Sequence, residues 1–159
     1  MLLIGAGRLG LLIAQTLALL GCDLLVVSRQ SRASDILKEF HIPVVTPDLI
    51  PSSKMDIVID ASGSPHGYAI ARQSVRPQGI LVLKSTYASS TPMNLSSLVV
   101  DEITLIGSRC GSFKPAINLL ASGRIDPTRL IDARFPLSNG LEAFKYAAQK
   151  GVLKVVLNP

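Results

Sequence analysis

The chain has 159 residues, enough for one domain with a sizeable core, and 48% of them are hydrophobic but only 4% aromatic, which suits buried parallel strands covered by helices. The net charge of +5 comes from basic residues that are scattered rather than clustered, which argues against a nucleic-acid-binding protein. The two cysteines, Cys22 and Cys110, exclude a disulfide framework and a four-cysteine zinc site.

The sequence contains neither of the two apolar segments that direct a chain to a membrane. No apolar run reaches the length of a transmembrane helix, and the N-terminus lacks the basic lead-in and cleavage site of a signal peptide. We therefore expect a cytoplasmic protein with reduced cysteines and no membrane partner.

The first predicted elements are a strand, a glycine-rich turn and a helix. Apolar residues 1–4 precede Gly-Ala-Gly-Arg-Leu-Gly at residues 5–10, and a helical pattern continues to about residue 20, where Gly21 supplies a C-terminal cap. A G-x-G-x-x-G sequence between a strand and a helix is the fingerprint of a dinucleotide-binding turn.

The three glycines of this turn have different expected tasks. Gly5 permits the tight turn out of the strand, Gly7 lets a pyrophosphate approach the backbone, and Gly10 lets the helix pack closely on the sheet. The N–H groups of the first helical turn then face the phosphates, and the helix dipole favours their negative charge. The alternative is an ordinary glycine-rich turn without a ligand.

Strands and helical patterns alternate along the next hundred residues. A helix ending near residue 40, capped by Ser31 or Ser34, follows the second strand, and further helices are predicted at residues 66–75 and 95–99. This alternation indicates parallel βαβ units, and six strands fit an α/β Rossmann fold, a doubly wound sheet of order 3-2-1-4-5-6 with helices on both faces. The later strands are predicted at residues 23–27, 41–45, 56–60, 80–83 and 102–107, with a turn at 76–79 and a longer loop at 85–94.

The pattern changes after the sixth strand. Two helices, two short extended pieces and a final strand follow, and they exceed the plain six-stranded unit. We therefore divide the chain into a dinucleotide-binding domain, residues 1–110, and a C-terminal extension, residues 111–159. The predicted elements of the extension are helices at 113–121 and 139–149, extended segments at 130–131 and 134–137, and a final strand at 152–157.

Several short motifs follow one another along the chain in a recognisable order. They are the glycine turn at residues 5–10, Asp-Ile-Val-Ile-Asp-Ala-Ser-Gly at 56–63, Arg-Pro-Gln-Gly at 76–79, Ile-Thr-Leu-Ile-Gly-Ser at 103–108, Phe-Pro-Leu at 135–137 with Glu-Ala-Phe at 142–144, and Leu-Lys-Val-Val-Leu at 153–157. In this order and spacing the chain resembles the cofactor-binding and C-terminal part of the medium-chain dehydrogenase/reductase family, the zinc-type alcohol dehydrogenases. The resemblance covers essentially all of the chain. It implies an NAD(P)-binding domain of an oxidoreductase, which positions NADP(H) for hydride transfer to or from a carbonyl or alcohol substrate.

Family members also carry an N-terminal GroES-like domain that supplies the zinc ligands, and nothing similar to it is present in this sequence. We therefore expect a fragment or an excised domain, whose residues from about 111 onward lack part of their usual partner. Zinc, if the enzyme uses it, belongs to the absent domain. We predict no metal site and no catalytic residue in this chain, and neither zinc binding nor alcohol oxidation by the chain alone.

The resemblance places the cofactor-binding residues in five segments at the ends of strands and at one position near the C-terminus. They are Gly5, Gly7, Arg8, Leu9 and Gly10; Ser28, Arg29 and Arg32; Ala61, Ser62 and Gly63; Lys84, Ser85 and Thr86; Ser108, Arg109 and Cys110; and Lys154.

The second strand ends without the carboxylate that selects NAD. NAD-dependent members have Asp or Glu there, which accepts hydrogen bonds from the ribose hydroxyls and repels a 2′-phosphate. This chain has Ser28 and Arg29, with Arg32 three residues on, and a hydroxyl with guanidinium groups suits a phosphate dianion. The sequence therefore predicts NADP as the cofactor, with NAD possible. The alternative is a solvated basic loop.

Four other side chains have competing interpretations. Lys84 either lies behind the nicotinamide or points to solvent, and Lys154 either reaches the pyrophosphate or is an edge-strand lysine. Cys110 is interpreted as a small buried packing residue rather than a reactive thiol. His66 has no neighbouring metal-ligand pattern, so a zinc role is not expected.

The predicted partners are the dinucleotide, a small-molecule substrate in the intact enzyme and a second copy of the chain. The sixth strand, residues 102–107, is an open apolar edge through which relatives form a homodimer. The competing functions are a free-standing NAD(P)-sensing module without catalysis and a methyltransferase that binds S-adenosylmethionine. The C-terminal motifs argue against both.

Overall fold

The computed structural model describes residues 1–87 and 92–159. The predicted loop at 85–94 therefore lies partly outside the described residues. The chain divides into two compact units, Met1–Ser112 and Phe113–Pro159, and each is described by itself.

The first unit contains six strands and four α-helices among its described residues. The strands are β1 (Leu2–Ile4), β2 (Leu25–Val27), β3 (Val44–Val45), β4 (Met55–Asp60), β5 (Val75–Leu83) and β6 (Thr104–Gly107). The helices are α1 (Arg8–Ala18), α2 (Ser31–Glu39), α3 (Pro65–Ser74) and α4 (Leu95–Val100), with a 3₁₀ turn at Pro47–Leu49.

The six strands form one parallel sheet of order β3-β2-β1-β4-β5-β6, which confirms the predicted α/β fold. From β1 the chain builds the sheet outward to β3 on one side, and it then returns to the centre and builds β4 to β6 on the other side. The carboxyl ends of β1 and β4 therefore flank the switch point of the sheet. In open parallel sheets a ligand binds in the crevice at that point.

The core consists of aliphatic side chains from the central strands. Leu2, Val58 and Leu81 are fully buried on neighbouring strands, and Tyr68 and Ala71 of α3 pack against them. Because both faces of a parallel sheet are covered, its strands carry continuous apolar runs rather than alternating ones. Burial of each such large side chain stabilises the fold by about 1.5–3 kcal/mol.

Two local predictions were wrong. Neither Ser31 nor Ser34 caps α2: the N-cap is Gln30, and the Ser34 hydroxyl donates to the Gln30 carbonyl instead (3.0 Å). The predicted turn at 76–79 lies inside β5, because Met55 of β4 already pairs with Val75, and the irregularity there places Gln78 at a φ of +57°.

The second unit is a small α/β arrangement. It contains α5 (Phe113–Ala121), β7 (Ile131–Pro136), α6 (Gly140–Ala147) and β8 (Lys154–Asn158), and β7 pairs with β8 in parallel. The Asp132 carboxylate of β7 accepts hydrogen bonds from the Leu153 and Lys154 amides, which fixes the start of β8. The extended segments were predicted, but their pairing was not.

Gly10→Ala should destabilise the first unit strongly. A Cβ at Gly10 would lie 1.8 Å from the Gly5 carbonyl oxygen, a backbone atom that no rotamer change can move away. We expect a loss of at least about 1–3 kcal/mol in the free energy of unfolding by urea, despite the better helix propensity of alanine.

Gly7→Ala is the matched control, because a Cβ at Gly7 meets no atom within 4 Å. Gly7 is the N-cap of α1, so this variant should lose at most about 1 kcal/mol. Equal losses in the two variants would contradict the role of Gly10 as the packing glycine.

Candidate functional site

A cleft of about 210 Å³ lies at the carboxyl ends of β1, β2 and β4. It therefore occupies the switch point of the sheet, within the first unit. Its walls come from the glycine turn, the segment after β2, the segment after β4 and the first turns of α3. The lining residues are Ile4, Gly5, Ala6, Gly7, Val27, Ser28, Arg29, Gln30, Pro47, Ala61, Ser62, Ser64, His66, Gly67 and Ile70.

The glycine turn brings bare backbone to this cleft. Gly5 has a φ of +99°, and a Cβ there would lie 2.6 Å from the Ser62 Cα, so only glycine fits between the two segments. Gly7 lines the cleft, begins α1 without a side-chain cap, and leaves the space around its Cβ position open. The N-terminal end of α1 is thus available to an anion.

The end of β2 presents one charged side chain to the cleft. Ser28 is only 6% exposed, and its hydroxyl accepts a hydrogen bond from the Gln30 amide (3.2 Å) and donates to the Gln30 carbonyl (3.3 Å). Arg29 is exposed and lines the cleft. Arg32 is exposed on the first turn of α2, outside the lining residues.

The fully buried Asp60 organises the loops after β4 and β5. Its carboxylate accepts one hydrogen bond from the Ser62 amide (2.9 Å) and another from the Tyr87 hydroxyl (2.6 Å). Its carbonyl oxygen accepts from the amides of Lys84 (2.9 Å) and Ser85 (3.1 Å). The Ser85 hydroxyl in turn accepts from the Gly63 amide (2.8 Å).

Gly67 of α3 completes the packing around this carboxylate. A Cβ at Gly67 would lie 1.9 Å from the Ser62 hydroxyl oxygen and 3.0 Å from an Asp60 carboxylate oxygen. The absence of a side chain at Gly67 therefore lets α3 approach the segment after β4.

The ends of β5 and β6 are joined by Lys84. Its ammonium group donates to the Arg109 carbonyl (2.8 Å) and to the Ser108 hydroxyl (3.3 Å), and the Ser108 amide donates to the Leu83 carbonyl (3.0 Å). The interpretation that Lys84 simply points to solvent was wrong. Cys110 is exposed, so the prediction of a buried packing residue was also wrong; it follows β6, which is the edge strand of the sheet.

The structure brings six of the predicted site residues together in the cleft: Gly5, Gly7, Ser28, Arg29, Ala61 and Ser62. Arg8, Leu9 and Gly10 form the adjoining turn of α1, and Gly63 is held by Ser85. Lys84, Ser85 and Thr86 follow β5, and Ser108, Arg109 and Cys110 follow β6, outside the cleft lining. Lys154 is an exposed residue of β8 in the second unit.

Sequence reasoning missed the wall that Pro47, His66 and Ile70 contribute to the cleft. Ser64 caps α3 and Pro65 is its first residue, a recognisable helix start directly after β4. Because carboxyl ends of parallel strands share one edge, this helix start could have placed His66 beside the glycine turn.

Within residues 1–87 and 92–159 no group of three or more His, Cys, Asp or Glu side chains is arranged to hold a metal ion. His66 thus belongs to no such group. No helix in the same ranges has the length and apolarity required to span a membrane.

Tyr87→Phe should destabilise the first unit in a pH-dependent way. Burial and the hydrogen bond to Asp60 raise the pKa of Tyr87 to about 12 from an ordinary value of 10.0. The protonated hydroxyl is therefore favoured by folding, and its contribution is complete below pH 10 and lost as the pH rises to about 12. At pH 8 we expect a loss of about 1.5–3 kcal/mol in the free energy of unfolding, typical of a hydrogen bond to a charged group.

Tyr68→Phe is the control at pH 8. The buried Tyr68 hydroxyl has no hydrogen-bond partner in the part of the chain that the structure describes, so its removal should leave the stability unchanged or slightly raised. A Tyr87→Phe loss that is the same at pH 8 and pH 12 would contradict the assigned role of the hydroxyl.

Comparison with known proteins supports the resemblance seen in the sequence. The profile of the zinc-binding dehydrogenase family matches residues 9–122. Sorbitol dehydrogenase from Mus musculus is 29% identical over an alignment of 173 positions, which covers 98% of this chain and 48% of the mouse protein. The chain thus spans about half the length of the curated relatives it matches.

Solved structures share the fold. L-idonate 5-dehydrogenase from Escherichia coli superposes with a TM-score of 0.88 at 24% identity, over 99% of this chain and 49% of that protein. A zinc-binding dehydrogenase from Sinorhizobium meliloti, solved bound to NADP, superposes with a TM-score of 0.87 at 22% identity, over 99% and 52%. Since the family profile covers most of the chain, this protein belongs to the zinc-binding dehydrogenase family.

Proposed function

We propose that this chain is the cofactor-binding part of an NAD(P)-dependent alcohol or polyol dehydrogenase and that it binds NADP(H). The observation that carries the proposal is the open Gly7 backbone at the start of α1, in a cleft at the switch point of the sheet. The polyol dehydrogenases among its relatives and the NADP-bound Sinorhizobium structure support the same assignment.

The cleft accommodates the dinucleotide from the pyrophosphate toward the adenosine end. The pyrophosphate lies against Gly7 and the N–H groups of the first turn of α1, where the helix dipole favours its charge. The adenosine ribose would lie beside Ser28 and Arg29, and Pro47, His66 and Ile70, which line the same cleft, would border the adenine ring.

The nicotinamide end extends toward the segments after β5 and β6, residues 84–86 and 108–110. When bound, the cofactor supplies or accepts the hydride that is exchanged with the substrate carbon. The chain itself binds and orients the ring.

The zinc ion of the family does not fit the described residues, because they provide no set of three ligands. We assign it to the part of the longer relatives that this chain does not match. The substrate pocket and the catalytic groups belong there as well, so the chain alone is proposed to be inactive.

The two free cysteines support the proposed cytoplasmic location.

The proposed homodimer forms through β6, an edge strand on which Leu105 and Ile106 are 39% and 41% exposed.

The unmodified chain should prefer NADPH over NADH. The two cofactors differ only in the 2′-phosphate, and the Ser28 hydroxyl is already bonded to Gln30, so the preference depends on Arg29. A charge-assisted arginine contact contributes about 1.5–3 kcal/mol, partly screened near solvent, so NADPH should bind on the order of tenfold to a hundredfold more tightly. Arg29→Ala should remove most of this gap and leave the NADH affinity nearly unchanged in calorimetric titrations.

Arg124→Ala is the matched control, since Arg124 is an exposed arginine that is not among the lining residues of the cleft. It should keep the full preference. Equal affinities for the two cofactors in the unmodified chain, or tighter NADH binding, would refute the NADP assignment and leave the fold unaffected.

Leu105→Lys should shift the chain from dimer to monomer. A lysine on the open edge of β6 places a charge between two paired strands and favours separate chains. Multi-angle light scattering should give the mass of two chains for the unmodified protein and of one for the variant. Leu20→Lys, at a 70% exposed leucine beyond the end of α1, should remain dimeric. A monomeric unmodified protein at high concentration would exclude the proposed interface.

A further inference from the structure

We infer that Lys84 is a positioning residue, which fixes the backbone of residues 108–110 for the nicotinamide end of the cofactor. This inference rests on the proposed function, because the ligand that meets residues 108–110 is the one proposed there. It assigns Lys84 a task that does not require contact with the cofactor.

The backbone of Lys84 is anchored to the end of β4, and its side chain reaches to the segment after β6. Its amide donates to the Asp60 carbonyl (2.9 Å), which holds the residue beside the end of β4. Its half-buried side chain crosses the end of the sheet toward β6, where the ammonium group meets the Arg109 carbonyl (2.8 Å) and the Ser108 hydroxyl (3.3 Å).

The segment that Lys84 holds begins where sheet pairing stops. β6 is the edge strand, and Gly107 is the last residue that pairs with β5. The Ser108 amide still bonds to the Leu83 carbonyl (3.0 Å), and the contact with the Arg109 carbonyl extends the connection one residue further. A cationic donor makes a stronger hydrogen bond than a neutral one, so Lys84 can order a backbone that the sheet no longer supports.

The neighbouring side chain points the opposite way along the sheet. The Ser85 hydroxyl bonds to the Gly63 amide (2.8 Å) and to the Asp60 carbonyl (3.3 Å), both after or at the end of β4. Two consecutive residues thus tie β5 to each of its neighbours. Loss of the Lys84 side chain should therefore loosen only the segment after β6, which lies at the nicotinamide end of the proposed site.

The experiment compares two ligands that share all but the nicotinamide. The 159-residue chain and its Lys84→Met variant are titrated with NADPH and with 2′-phospho-ADP-ribose, which lacks the nicotinamide ring. Since one charged hydrogen-bond contact is lost, we expect on the order of tenfold weaker NADPH binding and nearly unchanged binding of the fragment. The fluorescence of bound NADPH, which reports the surroundings of the ring, should fall toward that of free NADPH.

Lys84→Arg, which keeps a cationic donor, should restore part of the NADPH affinity. Lys54→Met, at an exposed lysine before the amino end of β4, is the matched control and should bind both ligands as the unmodified chain does. Amide hydrogen exchange of the ligand-free Lys84→Met variant should accelerate at residues 108–110 and stay unchanged in β4.

Equal weakening of both ligands by Lys84→Met, or no weakening of NADPH, would overturn the inference and leave the proposed function intact. Faster exchange at residues 108–110 without a loss of NADPH affinity would reduce Lys84 to a purely structural role and would overturn it as well. Failure of the unmodified chain to bind either ligand would instead refute the proposed function.

Discussion

The carboxylate of Asp60 lies at the centre of the functional end of the sheet. It is fully buried, and each of its carboxylate oxygens accepts a hydrogen bond from a different loop, through the Ser62 amide and the Tyr87 hydroxyl. Burial of a carboxylate is tolerated only when such donors replace water. The same residue therefore requires the segments after β4 and β5 to keep one arrangement.

Polar side chains beyond Asp60 continue this network toward both edges of the sheet. Ser85 connects β5 to the segment after β4, and Lys84 connects it to the segment after β6. The apolar strands beneath supply the stability, while these bonds determine where the strand ends stand. A cleft that receives a ligand at strand ends depends on the position of those ends as much as on the stability of the sheet.

The fold and the position of the cleft could be predicted because their signals are local or periodic. Alternating apolar strands and helices give the parallel sheet, and the glycine spacing at Gly5, Gly7 and Gly10 locates the turn. The order of the strands followed from the fold class to which that turn belongs.

The details that sequence reasoning missed arise from contacts between distant residues. Lys84 meets Arg109 across 25 positions, and Tyr87 meets Asp60 across 27, so neither contact has a local pattern. The exposure of Cys110 follows from the place of β6 at the sheet edge, not from residue type. The occupied Ser28 hydroxyl depends on the backbone conformation of the turn to Gln30, which spacing alone does not define.

The contact between Gly67 and Ser62 couples the choice of residue at two positions of the chain. Any side chain at position 67 would collide with the Ser62 side chain, because a Cβ at 67 would lie 2.5 Å from the Ser62 Cβ. Residue choice at one position is therefore conditional on the other: alanine at 67 requires the loss of the side chain at 62 and also a small shift of the Asp60 carboxylate, whose oxygen would lie 3.0 Å from the new Cβ.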